Sequence, residues 1–150
     1  MKTKLRLYPW PEFLFDVYEQ IIPMLKPHVH KYNAIWGPPT GALSIAQILH
    51  NHLRLPYYPF PPDDRSVLIA DDTTDTGKTL SHFPFNDSVT IFYCKKSIIK
   101  PTYWLHEQGE NEWILFPPED PENTDDMPET IKKLITPEII AQWKRFPKPA

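Results

Sequence analysis

Val67-Leu68-Ile69-Ala70-Asp71-Asp72-Thr73-Thr74-Asp75-Thr76-Gly77-Lys78-Thr79 is the stretch on which the rest of the chain turns. With Ser66 before it, its start is a short unbroken run of strand formers, the pattern of a parallel strand buried on both faces. The strand delivers two carboxylates to its C-terminal end, a third follows at Asp75, and a Thr-Gly-Lys-Thr turn leads into a short helix. In open α/β sheets ligands bind at the carboxyl ends of strands, and the N–H groups of a Gly-containing turn cradle an anion. That logic puts a phosphate at Thr76 to Thr79. Carboxylates also accept hydrogen bonds from vicinal hydroxyls, so the loop describes a ligand carrying both phosphate and ribose. Gly77-Lys78-Thr79 imitates the end of a triphosphate-binding P-loop, but that motif needs Gly at position 72, which is Asp.

Upstream, the apolar Ala34-Ile35-Trp36 precedes Gly37-Pro38-Pro39-Thr40-Gly41, and Ala42, Ile45, Ala46, Leu49 and Leu53 then recur at helical spacing. Earlier still, Pro11 opens a helix whose buried stripe is Leu14, Val17, Tyr18, Ile21 and Leu25, with Pro23 predicted to end or kink it near Ile22. Tyr57 to Pro62 is a connection with an edge strand. Downstream, Pro84 shortens the helix after the phosphate loop. Further strands are expected at Val89 to Cys94 and Trp113 to Phe116. Two helices, from Pro128 to Leu134 and from Pro137 to Phe146 behind the N-cap Thr136, close the chain. Strands alternating with helices predict an α/β fold with a mainly parallel central sheet flanked by helices, as one domain over residues 1–150.

Composition narrows the partners. The 150 residues are 41% hydrophobic, and 19 Pro with 4 Gly stay below the roughly 25–30% that marks low complexity, so the prolines punctuate a folded chain. Net charge is −3, with nine acidic residues and no Lys or Arg from Glu107 to Glu129, which leaves the remainder at +6. There is no global basic field to draw in nucleic acid. The single cysteine, Cys94, permits no internal disulfide. No apolar run reaches the ~20 residues of a membrane span, and the start lacks the apolar core of a signal peptide. The expectation is a cytoplasmic protein that binds neither membrane nor nucleic acid. His50 and His52 are spaced i, i+2 within a helical pattern, which keeps them off one face and argues against a metal pair.

The LIADDTTDTGKT stretch resembles the phosphoribosyl pyrophosphate (PRPP) motif of the type I phosphoribosyltransferases. On that resemblance Asp71 and Asp72 hold the ribose hydroxyls and assist Mg²⁺, while Thr74, Asp75, Thr76, Gly77, Lys78 and Thr79 embrace the 5′-phosphate. Asp75 stands where purine-using members place a carboxylate near N7 of the base, and is the candidate catalytic acid or base. Pro39-Thr40-Gly41 is similar to the family's pyrophosphate loop, in which an Arg-Gly-Gly triplet is usual; here the triplet reads Thr40-Gly41-Ala42. Phe92-Tyr93-Cys94-Lys95-Lys96 and Glu112-Trp113-Ile114-Leu115-Phe116 resemble the base-binding parts of the hypoxanthine, guanine and xanthine members. That assigns the base's exocyclic oxygen to Lys95, or to Lys96 one residue on. It gives ring stacking to Trp113, the base edge to the Ile114 main chain, and a small base-binding hood to the fold. The implied activity is phosphoribosyl transfer from PRPP to a purine base, with Mg²⁺ as cofactor, small molecules as partners and a homo-oligomer as the form such members often take. Thr40 in place of Arg favours an alternative, a PRPP- or nucleotide-binding regulatory protein of the same fold. Taken alone, an Asp-rich turn is a solvated helix cap, and a lone Trp113 is a core aromatic.

Overall fold

The computed structural model describes residues 1–39, 41–123 and 125–149. The chain divides into two compact units, Asp16–Gln108 and Met1–Phe15 with Gly109–Ala150.

The larger unit is built on a four-stranded sheet ordered β2 (Ala34–Trp36), β3 (Val67–Thr74), β4 (Ser88–Tyr93) and β5 (Tyr103–Glu107). All three pairings are parallel, so the expected α/β architecture is the one found. Val67 to Ala70 and Val89 to Tyr93 are all buried, as a strand covered on both faces requires. Helix α3 (Leu43–Leu53) packs on β2 and β3 and buries Ile45, Ala46, Leu49 and Leu53, the stripe that its spacing foretold. The isolated bridge from Ile35 to Tyr57 supplies the edge pairing expected of the Pro-rich connection.

Three elements depart from the sequence reading. Strand β3 does not stop at Ala70 but runs on through Asp71 to Thr74, paired with Thr90 to Tyr93. Asp is depleted in strands because its side chain competes for backbone groups, and here that competition is absorbed locally: each Asp carboxylate accepts from the next residue's N–H. Strand β5 was not foreseen, although Tyr103 and Trp104 are strand formers. The helix around Pro23 is not terminated there. The chain passes through a π-helical turn at Asp16–Ile21 and restarts as α2 (Ile22–Leu25), with Pro23 in the first turn, where its missing N–H costs nothing. The wider π turn breaks the 3.6-residue spacing, so Val17, Ile21 and Leu25 are buried while Tyr18 is exposed.

The smaller unit holds a parallel pair, β1 (Lys4–Leu7) with β6 (Glu112–Leu115). The strand expected at Trp113 to Phe116 is therefore present, but in a separate two-stranded sheet. Its partner was missed because Lys4-Leu5-Arg6-Leu7 alternates over only four residues. Leu5, Leu7 and Trp113 pack on Leu115, Met127 and Ile131. Helices α1 (Trp10–Phe15), α4 (Glu129–Lys132) and α5 (Pro137–Arg145) complete it, and Thr136 caps α5 by accepting from Ile139 N at 3.2 Å. Among the described residues no helix is long and apolar enough to cross a membrane.

Candidate functional site

A cavity of about 300 Å³ opens at the C-terminal end of β3, lined by Pro38, Pro39, Gly41 and every residue from Asp71 to Leu80. That volume is at the small end of ligand pockets, about 300–1,000 Å³. The structure thus brings together the two carboxylates, Asp75, the Thr76–Thr79 loop and the flanks of the upstream loop. Thr40 lies outside the described residues.

Asp71 and Asp72 are set by the strand itself. Asp71 Oδ1 accepts from Asp72 N at 2.8 Å and Asp72 Oδ1 accepts from Thr73 N at 2.7 Å. Asp71 is only 8% exposed. Its burial, reinforced by the neighbouring Asp72 carboxylate, pushes it well above the usual carboxylate range, and burial pushes Asp72 up as well. Two carboxylates held this way are poised for hydroxyl donors or a hard cation. The upstream loop reaches them at Gly41, where a Cβ would come within 2.9 Å of Asp72 Oδ2, so a larger residue there would push on that carboxylate.

The Thr76–Thr79 loop is ordered by short local bonds. Lys78 N donates to Thr76 Oγ1 at 3.2 Å, Ser81 N to Gly77 O at 2.9 Å, and Ser81 Oγ to Lys78 O at 2.6 Å. Gly77 has φ of 82°, a left-handed conformation that glycine adopts without strain. The helix expected after the loop is a single 3₁₀ turn, Leu80–His82, because Phe83 precedes Pro84 and leaves the helical region. A turn this short has little macrodipole, so any anion held here would rely on the loop N–H groups. Those of Thr76, Gly77 and Thr79 have no hydrogen-bond partner among the described residues, and Gly77 is buried. Thr74 lines the cavity too, but its hydroxyl donates to Thr90 Oγ1 at 3.3 Å.

The remaining predicted residues lie apart from this cavity's lining. Lys95, just past β4, is exposed and paired with Glu107 Oε2 at 3.2 Å. Trp113 and Ile114 sit on β6 in the smaller unit, Ile114 buried and the Trp113 indole N–H shielded from solvent with no partner among the described residues. Sequence reasoning missed Gln108, which is buried and meets the Thr73 hydroxyl through Oε1. It also missed the pair between His106 Nε2 and Asp16 Oδ2 at 2.7 Å. His106 lies on β5 and Gln108 directly follows it, so the strand that the sequence reading lacked is what positions both.

No family model matches the chain, and no curated protein matches it. Solved structures do. The purine phosphoribosyltransferase from Pyrococcus horikoshii OT3 superposes with a TM-score of 0.64 at 22% identity, over 77% of this chain and 94% of that one. The Helicobacter pylori xanthine-guanine-hypoxanthine phosphoribosyltransferase gives 0.61 at 18% identity, over 75% and 91%. A hypothetical protein from Neisseria gonorrhoeae with bound ppGpp gives 0.59 at 14% identity, over 88% and 96%. The fold is that of the type I phosphoribosyltransferases.

Proposed function

We propose that the chain transfers the phosphoribosyl group of PRPP to a purine base of the hypoxanthine, guanine or xanthine type, releasing pyrophosphate. The observation that carries this is the single cavity in which Asp71, Asp72, Asp75 and the Thr76–Thr79 loop converge. In this reading the loop N–H groups bind the 5′-phosphate and the Asp71 and Asp72 carboxylates accept from the ribose 2′- and 3′-hydroxyls. Breaking the C–O bond to pyrophosphate builds positive charge on the ribose, as in glycoside hydrolysis, and the buried carboxylates stabilise it. Asp75 manages the N7 proton of the incoming base. Lys95, released from Glu107, donates to the exocyclic oxygen, and Trp113 and Ile114 are the further base contacts that the resemblance proposes.

Mg²⁺ fits this donor set. It takes one or two protein carboxylates together with substrate phosphates and water. Among the described residues no group of three or more His, Cys, Asp or Glu is placed to hold a metal without a ligand's help. Asp71 and Asp72 would hold a Mg²⁺ that arrives with pyrophosphate, and its chemistry is to neutralise that leaving group.

The test is mass spectrometry after incubation with Mg²⁺, PRPP and, separately, hypoxanthine, guanine, xanthine, adenine, uracil and orotate. A nucleoside monophosphate from a 6-oxopurine is expected; PRPP binding without product from any base contradicts catalysis. That second outcome is the result expected of a PRPP- or nucleotide-binding regulatory protein. Thr40 favours it, because a Thr hydroxyl cannot replace the bidentate, charged grip of Arg on pyrophosphate. A structural neighbour with bound ppGpp adds a nucleotide ligand on the same fold.

A further inference from the structure

We propose that Ser97 is a positioning residue for the phosphate loop: its hydroxyl closes the turn after β4, and that turn presses Gly77 and the adjoining N–H groups into the shape that receives a phosphate. The inference rests on Thr76–Thr79 being the phosphate site. Ser97 is not among the residues lining the cavity, so it acts through others.

The bonds form a continuous chain from sheet to loop. Ser97 N donates to Cys94 O at 2.9 Å, which fastens the turn to the end of β4, where Cys94 N donates to Thr74 O at 2.9 Å. The Ser97 hydroxyl donates to Ile99 O at 2.6 Å and accepts from Ile99 N at 3.2 Å, closing the turn on itself. Ile98 N, at its apex, donates to Thr76 O at 3.0 Å. Gly77 is seated against the same three residues. A Cβ there would lie 2.9 Å from Ile99 N and 3.1 Å from Ile98 Cγ1, and nearer still to Ser97 Oγ.

The loop cannot supply this shape alone. It is followed by one 3₁₀ turn, its own bonds reach no further than His82 in that turn, and Gly77 is the residue least able to hold a fixed φ unaided. An outside template therefore sets the Gly77 conformation, and with it the direction of the unpartnered N–H groups. Without the Ser97 hydroxyl the Ile99 groups lose their local partner, the turn opens, and Thr76 and Gly77 lose the surface they rest on.

Two readouts test this in the full chain. Hydrogen–deuterium exchange is followed at Lys78, Ser81 and Ile98, whose N–H groups are bonded to Thr76 Oγ1, Gly77 O and Thr76 O. Mg²⁺–PRPP affinity is measured by calorimetry. Ser97→Ala should speed exchange at these three amides while β3 and β4 stay protected as in the wild type, and should weaken PRPP roughly five- to tenfold. Ser97→Thr keeps the hydroxyl and should restore both. Wild-type exchange rates in Ser97→Ala, or faster exchange spread across the sheet, would overturn the positioning role. A wild-type protein that binds no PRPP would overturn the site reading instead, and the exchange data would still decide the role of Ser97.

Discussion

Asp71 lies on β3 and Asp75 just past its end, and the proposed function gives the two carboxylates different work. If Asp75 handles the base proton, Asp75→Asn should lower kcat about a hundredfold or more with little change in PRPP affinity, since general acid–base catalysis contributes roughly 10²–10⁴. Steady-state kinetics beside PRPP calorimetry separates the two quantities; intact turnover with collapsed binding would reverse the assignment. Asp71 is buried, and its folded-state ionisation is displaced upward by that burial and by Asp72. Above the ordinary carboxylate pKa of about 4 the unfolded chain has lost this proton while the folded one keeps it. The contribution of Asp71 to stability is therefore fully present below the ordinary carboxylate range and is lost as pH rises through the folded value. Asp71→Asn keeps the acceptor for Asp72 N but carries no charge. Without Mg²⁺ it should raise neutral-pH stability by roughly 0.5–2 kcal/mol and flatten that fall, while abolishing ligand binding. Urea unfolding at pH 5 and pH 8 measures it, and a destabilised Asp71→Asn would show that the charge is not a burden.

At the scale of elements, the Thr76–Thr79 loop depends on a close approach and on a handedness. Gly77→Ala meets both a positive φ and the turn at Ser97 to Ile99, so it should cost about 1–3 kcal/mol and remove phosphate binding, readable by thermal melts with and without PRPP. In the smaller unit, Thr136→Ala removes the α5 N-cap and should cost about 1 kcal/mol; a melt unchanged within error would mean that α5 is held by packing alone. Much of this was written plainly in the chain. The helical stripe of α3, the cap at Thr136 and the strand-to-loop signature at Val67–Thr79 each couple a residue pattern to one backbone geometry. The π turn at Asp16–Ile21 was not, because tertiary packing of Val17 and Ile21 selects it over the 3.6-residue period. Strands β1 and β5 were too short or too mixed to declare their period; the partner of β1 lies about a hundred residues away, and β5 adds to the sheet edge beside β4.

On the scale of the whole molecule, each unit buries its own apolar set: Ala34, Trp36, Val67, Ile69 and Leu80 in one, Leu115, Met127 and Ile131 in the other. The cavity at the end of β3 belongs wholly to the larger unit. It was legible in sequence because the carboxylates, the glycine and the hydroxyls occupy nine consecutive positions, 71 to 79. The proposed base contacts were less so, being drawn from separate strands, Lys95 after β4 and Trp113 and Ile114 on β6. The most direct test of the central claim compares ribose 5-phosphate with 2-deoxyribose 5-phosphate by calorimetry, in wild type and in Asp72→Asn. If Asp71 and Asp72 accept from the ribose hydroxyls while the loop holds the phosphate, the ribose ligand should bind at least several-fold tighter in wild type, and that margin should shrink in the variant. Equal affinity for both sugars in the wild-type protein would contradict the account.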